Sequence, residues 1–258
     1  MSRLSEAGSP AGDFSDLMQT PFKIQKFPVL SSTNQFVHEN LDQLAHFTVI
    51  VAETQTAGKG RWGRKWLSSS EGNLYFTVVL KENLKSSLLG NLPQIAALAV
   101  VHTLSDYQLA AQIKWPNDVL IEGRKICGIL SESILRGEAL IGLGLGIGLN
   151  VNMSQDYLRQ IGQPATSILV ESGKQANPEK ILDHFLQHFY QIYLRVENVD
   201  FTAIFEEWKK NLSDPRGKKV QFQGKKVGFV RDVLPSGALL VRFDEGEKIV
   251  YSGDIILD

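Results

Sequence analysis

Between Thr54 and Trp66 the chain reads TQTAGKGRWGRKW, with Lys59, Arg61, Arg64 and Lys65 set among Gly58, Gly60 and Gly63 and no acid in the run. Glycine lets backbone N–H groups come close to a ligand, and guanidinium groups donate in pairs to carboxylate or phosphate oxygens. The segment therefore offers cations and amides together to an anion. A solvated surface loop or a nonspecific nucleic-acid patch would have the same composition, and the P-loop spacing G-x-x-x-x-G-K-[ST] does not occur. A second group, Lys114-Trp115-Pro116-Asn117-Asp118, gathers a cation, an indole, an amide and a carboxylate around one proline, with Lys125 after the next turn. Alone, it is equally an ordinary tight turn.

Gly142, Gly144, Gly146, Gly148 and Asn150 share one parity of a segment whose other parity is Leu143, Leu145, Ile147, Leu149 and Val151. In a strand these are opposite faces, one bare and one apolar. Glycine weakens a strand interior, so a bare face points to something lying close against it, either a ligand or a packed helix or neighbouring backbone. Asn150 ends that face with an amide able to donate and accept.

Other constellations carry less. His184 and His188 lie four apart on one helical face without the glutamate of an H-E-x-x-H motif, so they read as surface or core-edge residues. Cys127 lies inside an apolar run with no histidine partner and reads as a buried hydrophobe, not a nucleophile. No G-x-S-x-G nucleophile elbow is present.

Positioning these residues takes one large domain and a small appended one, which 258 residues at 43% hydrophobic content can supply. Lys and Arg number 27 against 28 Asp and Glu, so the overall field requires neither DNA nor a membrane surface as partner. One cysteine excludes an intramolecular disulfide framework and suits a reducing, cytoplasmic setting. Met1 to Thr20 holds no apolar run of signal-peptide or membrane length, which predicts a flexible tail over 1–21, too short for a helix-turn-helix domain.

Phe22 to Val29 predicts a strand, and Ser32-Thr33-Asn34 caps a short helix through about His38. Phe47 to Ala52 and Leu74 to Leu80 read as buried strands, Thr54 to Ser70 as a loop without period, and Leu88 to Leu104 as a helix. Strands follow at Ile113–Trp115, Val119–Ile121, Lys125–Ile134 and Leu140–Val151, joined so tightly that most pairing must be antiparallel. Asn177-Pro178-Glu179 opens a helix with a core stripe of Leu182, Phe185, Phe189, Tyr193 and Val196, and a second helix carries Phe201, Phe205, Trp208 and Leu212. After Asp214-Pro215-Arg216-Gly217 come four or five short strands broken at Gln223-Gly224, Pro235-Ser236-Gly237, Asp244-Glu245-Gly246 and Ser252-Gly253, the pattern of a small barrel.

Six segments then fall in the order and spacing of a known family: Ser32-Thr33-Asn34-Gln35, Gln55 through Arg61, Gly63-Arg64-Lys65-Trp66, Lys114 through Asp118, Arg124 through Leu130, and Gly146 through Asn150. The chain resembles biotin protein ligases from Phe22 to its end. The resemblance implies an α+β fold, with a mixed, mainly antiparallel sheet flanked by helices as in lipoate ligases and class II synthetases. A catalytic domain would span 22–213 and an SH3-like β-barrel 214–258. It implies biotin contacts from Ser32, Thr33, Asn34, Gln55, Lys59, Gly60, Arg61, Lys125 and Gly128, and ATP contacts from Arg64, Trp66, Lys114, Asn117 and Asn150. Lysine at 59 replaces the arginine of many relatives, exchanging a bidentate contact for a point charge. The barrel motif is blurred at Gly253-Asp254-Ile255.

The implied reaction joins biotin and ATP as biotinyl-5'-AMP and moves biotin to a lysine of a biotin carboxyl carrier protein, such as a subunit of acetyl-CoA carboxylase. Lys125, Arg61 and Lys114 would neutralise the developing charge, Mg²⁺ would accept pyrophosphate through ligands that the motifs do not name, and Asp118 would orient or deprotonate the target lysine. The cationic loop would also close as a lid that keeps water from the intermediate. A lipoate or octanoate ligase on the same scaffold is the alternative, and a homodimer is compatible with either.

Overall fold

The period-2 run near the start becomes β1 (Lys23–Leu30), and Ser32 caps α1 (Thr33–Asn40) by accepting the amide of Gln35. The computed structural model describes residues 20–68, 72–81, 86–222 and 226–256. The expected tail up to residue 19, the last residues of the Thr54–Ser70 loop and the Gln223-Gly224 turn lie outside them. β2 (Thr48–Gln55) and β3 (Leu74–Leu80) follow, then α2 (Ser86–Leu89) and α3 (Leu92–Asp106). The helix expected from Leu88 begins instead at Leu92, because Asn91 and Pro93 restart the chain there.

β4 (Gln112–Lys114), β5 (Asp118–Ile121), β6 (Arg124–Arg136) and β7 (Ala139–Leu149) complete a seven-stranded sheet in the order β1-β2-β3-β7-β6-β5-β4. Every pair is antiparallel except β1 with β2, whose parallel crossover is made by α1. After the short α4 (Gln155–Leu158) and α5 (Ile168–Ser172), Asn177 caps α6 (Pro178–Asn198) through the amide of Glu179. The second helix expected beyond it is broken into a 3₁₀ turn at Phe201–Ala203 and α7 (Phe205–Lys210). Phe201 and Trp208 still meet edge to face in the core. No described helix is long and apolar enough to cross a membrane.

The odd residues of β7, Leu143 to Leu149, are buried in one apolar cluster with α3 and α6, including the stacked rings of Phe185 and Phe189. The opposite face of the sheet, which carries the glycines, is capped at one end by Val37 of α1 and Leu41 just after it, packed with Val79 and Ile134. The sheet is thus sandwiched over only part of its area.

β8 (Lys219–Phe222), β9 (Lys226–Val233), β10 (Leu239–Phe243), β11 (Gly246–Val250) and β12 (Asp254–Ile255) form a second antiparallel sheet in the order β11-β10-β9-β8-β12. Val220, Val230, Leu239 and Val241 join the main apolar cluster. The β9–β10 turn docks on the large domain: the Gly237 carbonyl accepts Trp115 Nε1 at 3.0 Å and Gln94 Nε2 at 2.8 Å, and the Ser236 carbonyl accepts Asn91 Nδ2 at 2.8 Å. Gly237 has φ +77°, and a Cβ there would collide with Gln94 Oε1 and lie 2.8 Å from Phe201. Gly237→Ala is therefore expected to cost about 1–3 kcal/mol through strain and lost docking. The melting temperature should drop roughly 2–4 °C for each kcal/mol, and an unchanged value in a thermal melt would show that the turn does not hold the module.

Candidate active site

The β2–α1 junction is locked by one side chain. Gln55 Oε1, at the end of β2, accepts the Thr33 amide at 2.8 Å and the Thr33 hydroxyl at 3.2 Å. Thr77 of β3 then donates to Asn34 Oδ1 at 2.6 Å and sits 2.8 Å from Thr33 Oγ1. Ser32, Thr33 and Asn34 are buried, so the helix start forms a polar wall inside the protein.

The cationic loop is more ordered than its sequence suggests. Gly60 N donates to Arg64 O at 2.7 Å and Trp66 N to Gly58 O at 2.9 Å, with a 3₁₀ turn at Arg61–Gly63 as the tip. Trp66 is thereby turned inward onto Gly128 and Gly148, which are cross-strand partners on β6 and β7. A Cβ on Gly148 would lie 2.7 Å from Trp66 Cζ2, and one on Gly128 2.7 Å from Cζ3. The bare strand face thus divides in two. Gly142 takes Leu41, Gly144 takes Thr77 and Val37, and Gly146 and Gly148 open toward a cavity.

That cavity, of about 410 Å³, is lined by Ser32, Thr33, Asn34, Gln55, Lys59, Gly60, Arg61, Arg64, Trp66, Asn117, Asp118, Lys125 and Gly128. Thirteen residues singled out from four separate stretches of sequence therefore line one cavity. Lys125 pairs with Asp118 at 2.8 Å and holds its ammonium 5.3 Å from the Trp66 ring. Lys114 stands opposite Asp118 across β4 and β5, outside the lining, and burial lowers its pKa against the pull of Asp118. Asn117 is held by Ile129, donating to its carbonyl at 2.6 Å and accepting its amide through the backbone at 3.0 Å. The cis Trp115–Pro116 bond lies within this turn.

Arg61 reaches Asn117 Oδ1 at 2.9 Å, and the C-terminal sheet at Ser252 Oγ (2.9 Å), Gly253 O (3.1 Å) and Asp254 Oδ1 (3.2 Å). Burial lowers its pKa, and Asp254 and Asp118 oppose that shift. Arg64 bonds the other oxygen of Asp254. Lys59 turns aside to Gln35 Oε1 at 2.6 Å. Asn150 lies in an adjoining cavity of about 210 Å³, with Trp66, Gln160, Gly162 and Gln163. Its Nδ2 donates to Thr166 O at 2.9 Å, while its Oδ1 and Trp66 Nε1 are buried without a protein partner. A buried acceptor and donor left open beside a cavity are places for a ligand's polar atoms.

Sequence reasoning missed Asp254 as a site residue and missed the Ile161-Gly162-Gln163 rim. The rim had no motif, the blurred barrel motif at Gly253-Asp254-Ile255 did not point to the cavity, and Asp254 arrives from 193 residues away. His184 Nδ1 and His188 Nε2 both meet Asp106 Oδ2 at 2.9 Å, and no group of three or more potential ligands for a metal exists among the described residues. Cys127 is buried, and that burial raises its thiol pKa, as suits a packed hydrophobe.

Comparison with known proteins places these features. The family model for the biotin/lipoate A/B protein ligase family matches residues 26–152. A bifunctional ligase/repressor BirA of Bacillus spizizenii is 33% identical over 89% of this chain and 72% of its own length. The chain belongs to the biotin/lipoate A/B protein ligase family. A biotin–[acetyl-CoA-carboxylase] ligase of Paracoccus denitrificans is 29% identical, covering 80% of this chain and 88% of that one. Among solved structures, a biotin protein ligase from Aquifex aeolicus in complex with biotin and ATP superimposes with a TM-score of 0.77 at 28% identity, over 90% of this chain and 97% of that one. The expected mixed, mainly antiparallel sheet flanked by helices is therefore the fold of this ligase family.

Gly148→Ala isolates the contact with Trp66. The added methyl would sit 2.5 Å from Trp66 Cε2, so the indole must leave the strand surface. ATP affinity is expected to weaken about tenfold, equivalent to ~1.4 kcal/mol, with the melting temperature nearly unchanged. Equal ATP titration curves for parent and variant would show that the nucleotide does not use this surface.

Proposed function

We propose that this chain is a biotin–[biotin carboxyl carrier protein] ligase, which forms biotinyl-5'-AMP and passes biotin to a lysine of the carrier. One observation carries the reading. A single cavity joins a hydrogen-bonding slot (Thr33, Asn34, Gln55), a cationic neck (Lys125, Arg61) and a flat aromatic end (Trp66) beside the open acceptor of Asn150. A fused-ring urea suits the slot, the reacting carboxylate and α-phosphate suit the neck, and a base suits the end. The alternative, a lipoate or octanoate ligase, would put a group without N–H donors against that polar slot.

Attack of a carboxylate on a phosphate brings two anions together and gathers more charge at the transition state, so preorganised cations are the catalyst the step needs. Lys125 and Arg61 face the meeting point, and Lys114 acts from one strand behind. Asp118 holds the Lys125 ammonium in place; when Lys125 turns to the phosphate, Asp118 is freed to orient the incoming lysine. Mg²⁺ binds through one or two carboxylates plus substrate phosphates, and the cavity offers Asp118 and Asp254. When bound it neutralises the leaving pyrophosphate. The Gly58–Arg64 tip closes over the intermediate as a lid, with Arg61 and Arg64 exchanging Asp254 for ligand oxygens. Residues 22–213 form the catalytic domain and 214–258 the module that carries Asp254. Near-balanced charge gives no reason to add DNA as a partner.

The deciding assay is exchange of pyrophosphate into ATP, which should depend on biotin and not on lipoate or octanoate; exchange driven by lipoate alone would favour the alternative. Lys125→Ala should lower single-turnover adenylation by about two to three powers of ten with folding intact, because one preorganised donor at a developing charge is worth roughly 3–4 kcal/mol. A rate within about threefold of the parent would remove Lys125 from the mechanism.

Lys114 gives a pH signature. Its depressed pKa means that the catalytic cation is lost, as pH rises, earlier than for a free lysine near about 10.4. The adenylation rate should fall on the alkaline side, and Lys114→Arg should move that limb upward by at least about one pH unit. A limb that does not move assigns the titration to another group.

A further inference from the structure

We propose that Glu132, which lies behind the cavity wall, is a positioning residue that fixes the direction of the Asn34 amide and so makes the slot selective for the N–H groups of a cyclic urea. The inference rests on the functional reading above and adds a determinant of specificity to it.

Asn34 Nδ2 donates to Glu132 Oε2 at 2.7 Å and to the Leu130 carbonyl at 3.2 Å. Both partners are acceptors, since an ionised carboxylate and a backbone carbonyl have no proton to give. An asparagine amide is nearly symmetric in shape, and only its partners decide which end is oxygen. Two acceptors on one side leave a single arrangement, with NH₂ toward β6 and Oδ1 away from it. Thr77 enforces the same choice from β3 by donating to Oδ1 at 2.6 Å.

Oδ1 then lies over Gly146, so closely that any Cβ there would overlap it. Both amide protons of Asn34 are consumed by Glu132 and Leu130, so Nδ2 has nothing left for a ligand. Oδ1 retains a second lone pair, and Asn34 lines the cavity while Glu132 does not. Beside it, Gln55 Oε1 is occupied by Thr33, and Gln55 Nε2 by Ser68 Oγ at 3.3 Å. Asn34 Oδ1 is thus an acceptor offered to the cavity, beside the one proton that Gln55 Nε2 keeps after bonding Ser68. A cyclic urea brings two N–H donors and a carbonyl to such a wall; a dithiolane or alkyl head brings no N–H and would leave the second lone pair of Asn34 Oδ1 unused. Sites built to bond a substrate N–H or O–H reject analogues that lack it far more strongly than apolar pockets reject an extra group. Glu132 therefore acts on specificity through Asn34, without touching the ligand.

The test titrates the full chain calorimetrically with biotin, lipoate and ATP. Glu132→Leu removes the acceptor and frees the amide to turn; biotin affinity should fall about 10–100-fold, with ATP affinity and melting temperature close to the parent and any weak lipoate binding not reduced. Glu132→Gln keeps an acceptor oxygen and should stay within about threefold. Asn34→Asp sets two carboxylates face to face and should abolish measurable biotin binding. Adding Glu132→Gln to Asn34→Asp restores a hydrogen bond in the reverse sense, leaves an acceptor over Gly146, and should recover affinity to within about tenfold of the parent. The inference is overturned if folded Glu132→Leu binds biotin within twofold of the parent, or if the double variant is no better than Asn34→Asp alone. The second comparison decides should Glu132→Leu not fold. A parent chain that binds no biotin would sink this inference together with the functional reading, whereas an intact parent with an indifferent Glu132 sinks this inference alone.

Discussion

The site depends on how closely other groups come to the backbones of β6 and β7. Trp66 sits on the Gly128–Gly148 pair, and Asn34 on Gly146. A methyl at any of the three would force the covering side chain away. Four missing side chains on one strand face cost stability through backbone entropy and lost packing. The strand can carry that loss because its other face is fully apolar and lies between α3 and α6, where Leu143, Leu145, Ile147 and Leu149 are almost wholly buried. Stability is supplied on one side of β7 so that the other can be shaped for a ligand.

Charge follows the same division of labour. Lys125 and Arg61 are largely enclosed, and isolated cations would be expensive to hold there. Asp118 and Asp254 pair with them and leave each exchangeable, because an anionic substrate presents the same kind of oxygen that the aspartates do. Lys114 faces Asp118 but shares it with Lys125, and in both Lys114 and Arg61 burial outweighs the nearby aspartates and lowers the pKa.

What could be read from the sequence was what is periodic or local. The strands β3, β5, β6 and β7, the caps at Ser32 and Asn177, and the two faces of β7 all follow from spacing. The loop from Thr54 to Trp66 was legible as an anion site but not as an ordered hairpin, because its bonds run between the backbones of Gly58, Gly60, Arg64 and Trp66, which leave no side-chain signature. The start of α3 was missed although Gly90, Asn91 and Pro93 mark it, and the break before α7 because apolar residues continue through it. Asn150 was placed on the glycine face by parity, but the strand stops at Leu149 and the side chain turns to Thr166 and the adjoining cavity. Glu132 could be found only from the structure, since its importance lies in an amide contributed from 98 residues away.

The C-terminal sheet illustrates how a boundary in sequence differs from a boundary in energy. Composition separates 214–258 from what precedes it, yet Val220, Val230 and Leu239 lie in the same apolar cluster as α3 and α6. The β9–β10 turn holds the indole of Trp115, the residue next to Lys114, and β12 brings Asp254 to Arg61 and Arg64. The module thus grips the site at two points, one behind the Lys114–Asp118 turn and one across the mouth of the cavity. A displacement of this sheet would move Trp115 and release both arginines at once. Because Arg61 also bonds Asn117 of that same turn, the two grips are joined through the cavity wall itself. Loss of either one would therefore loosen the groups held by the other.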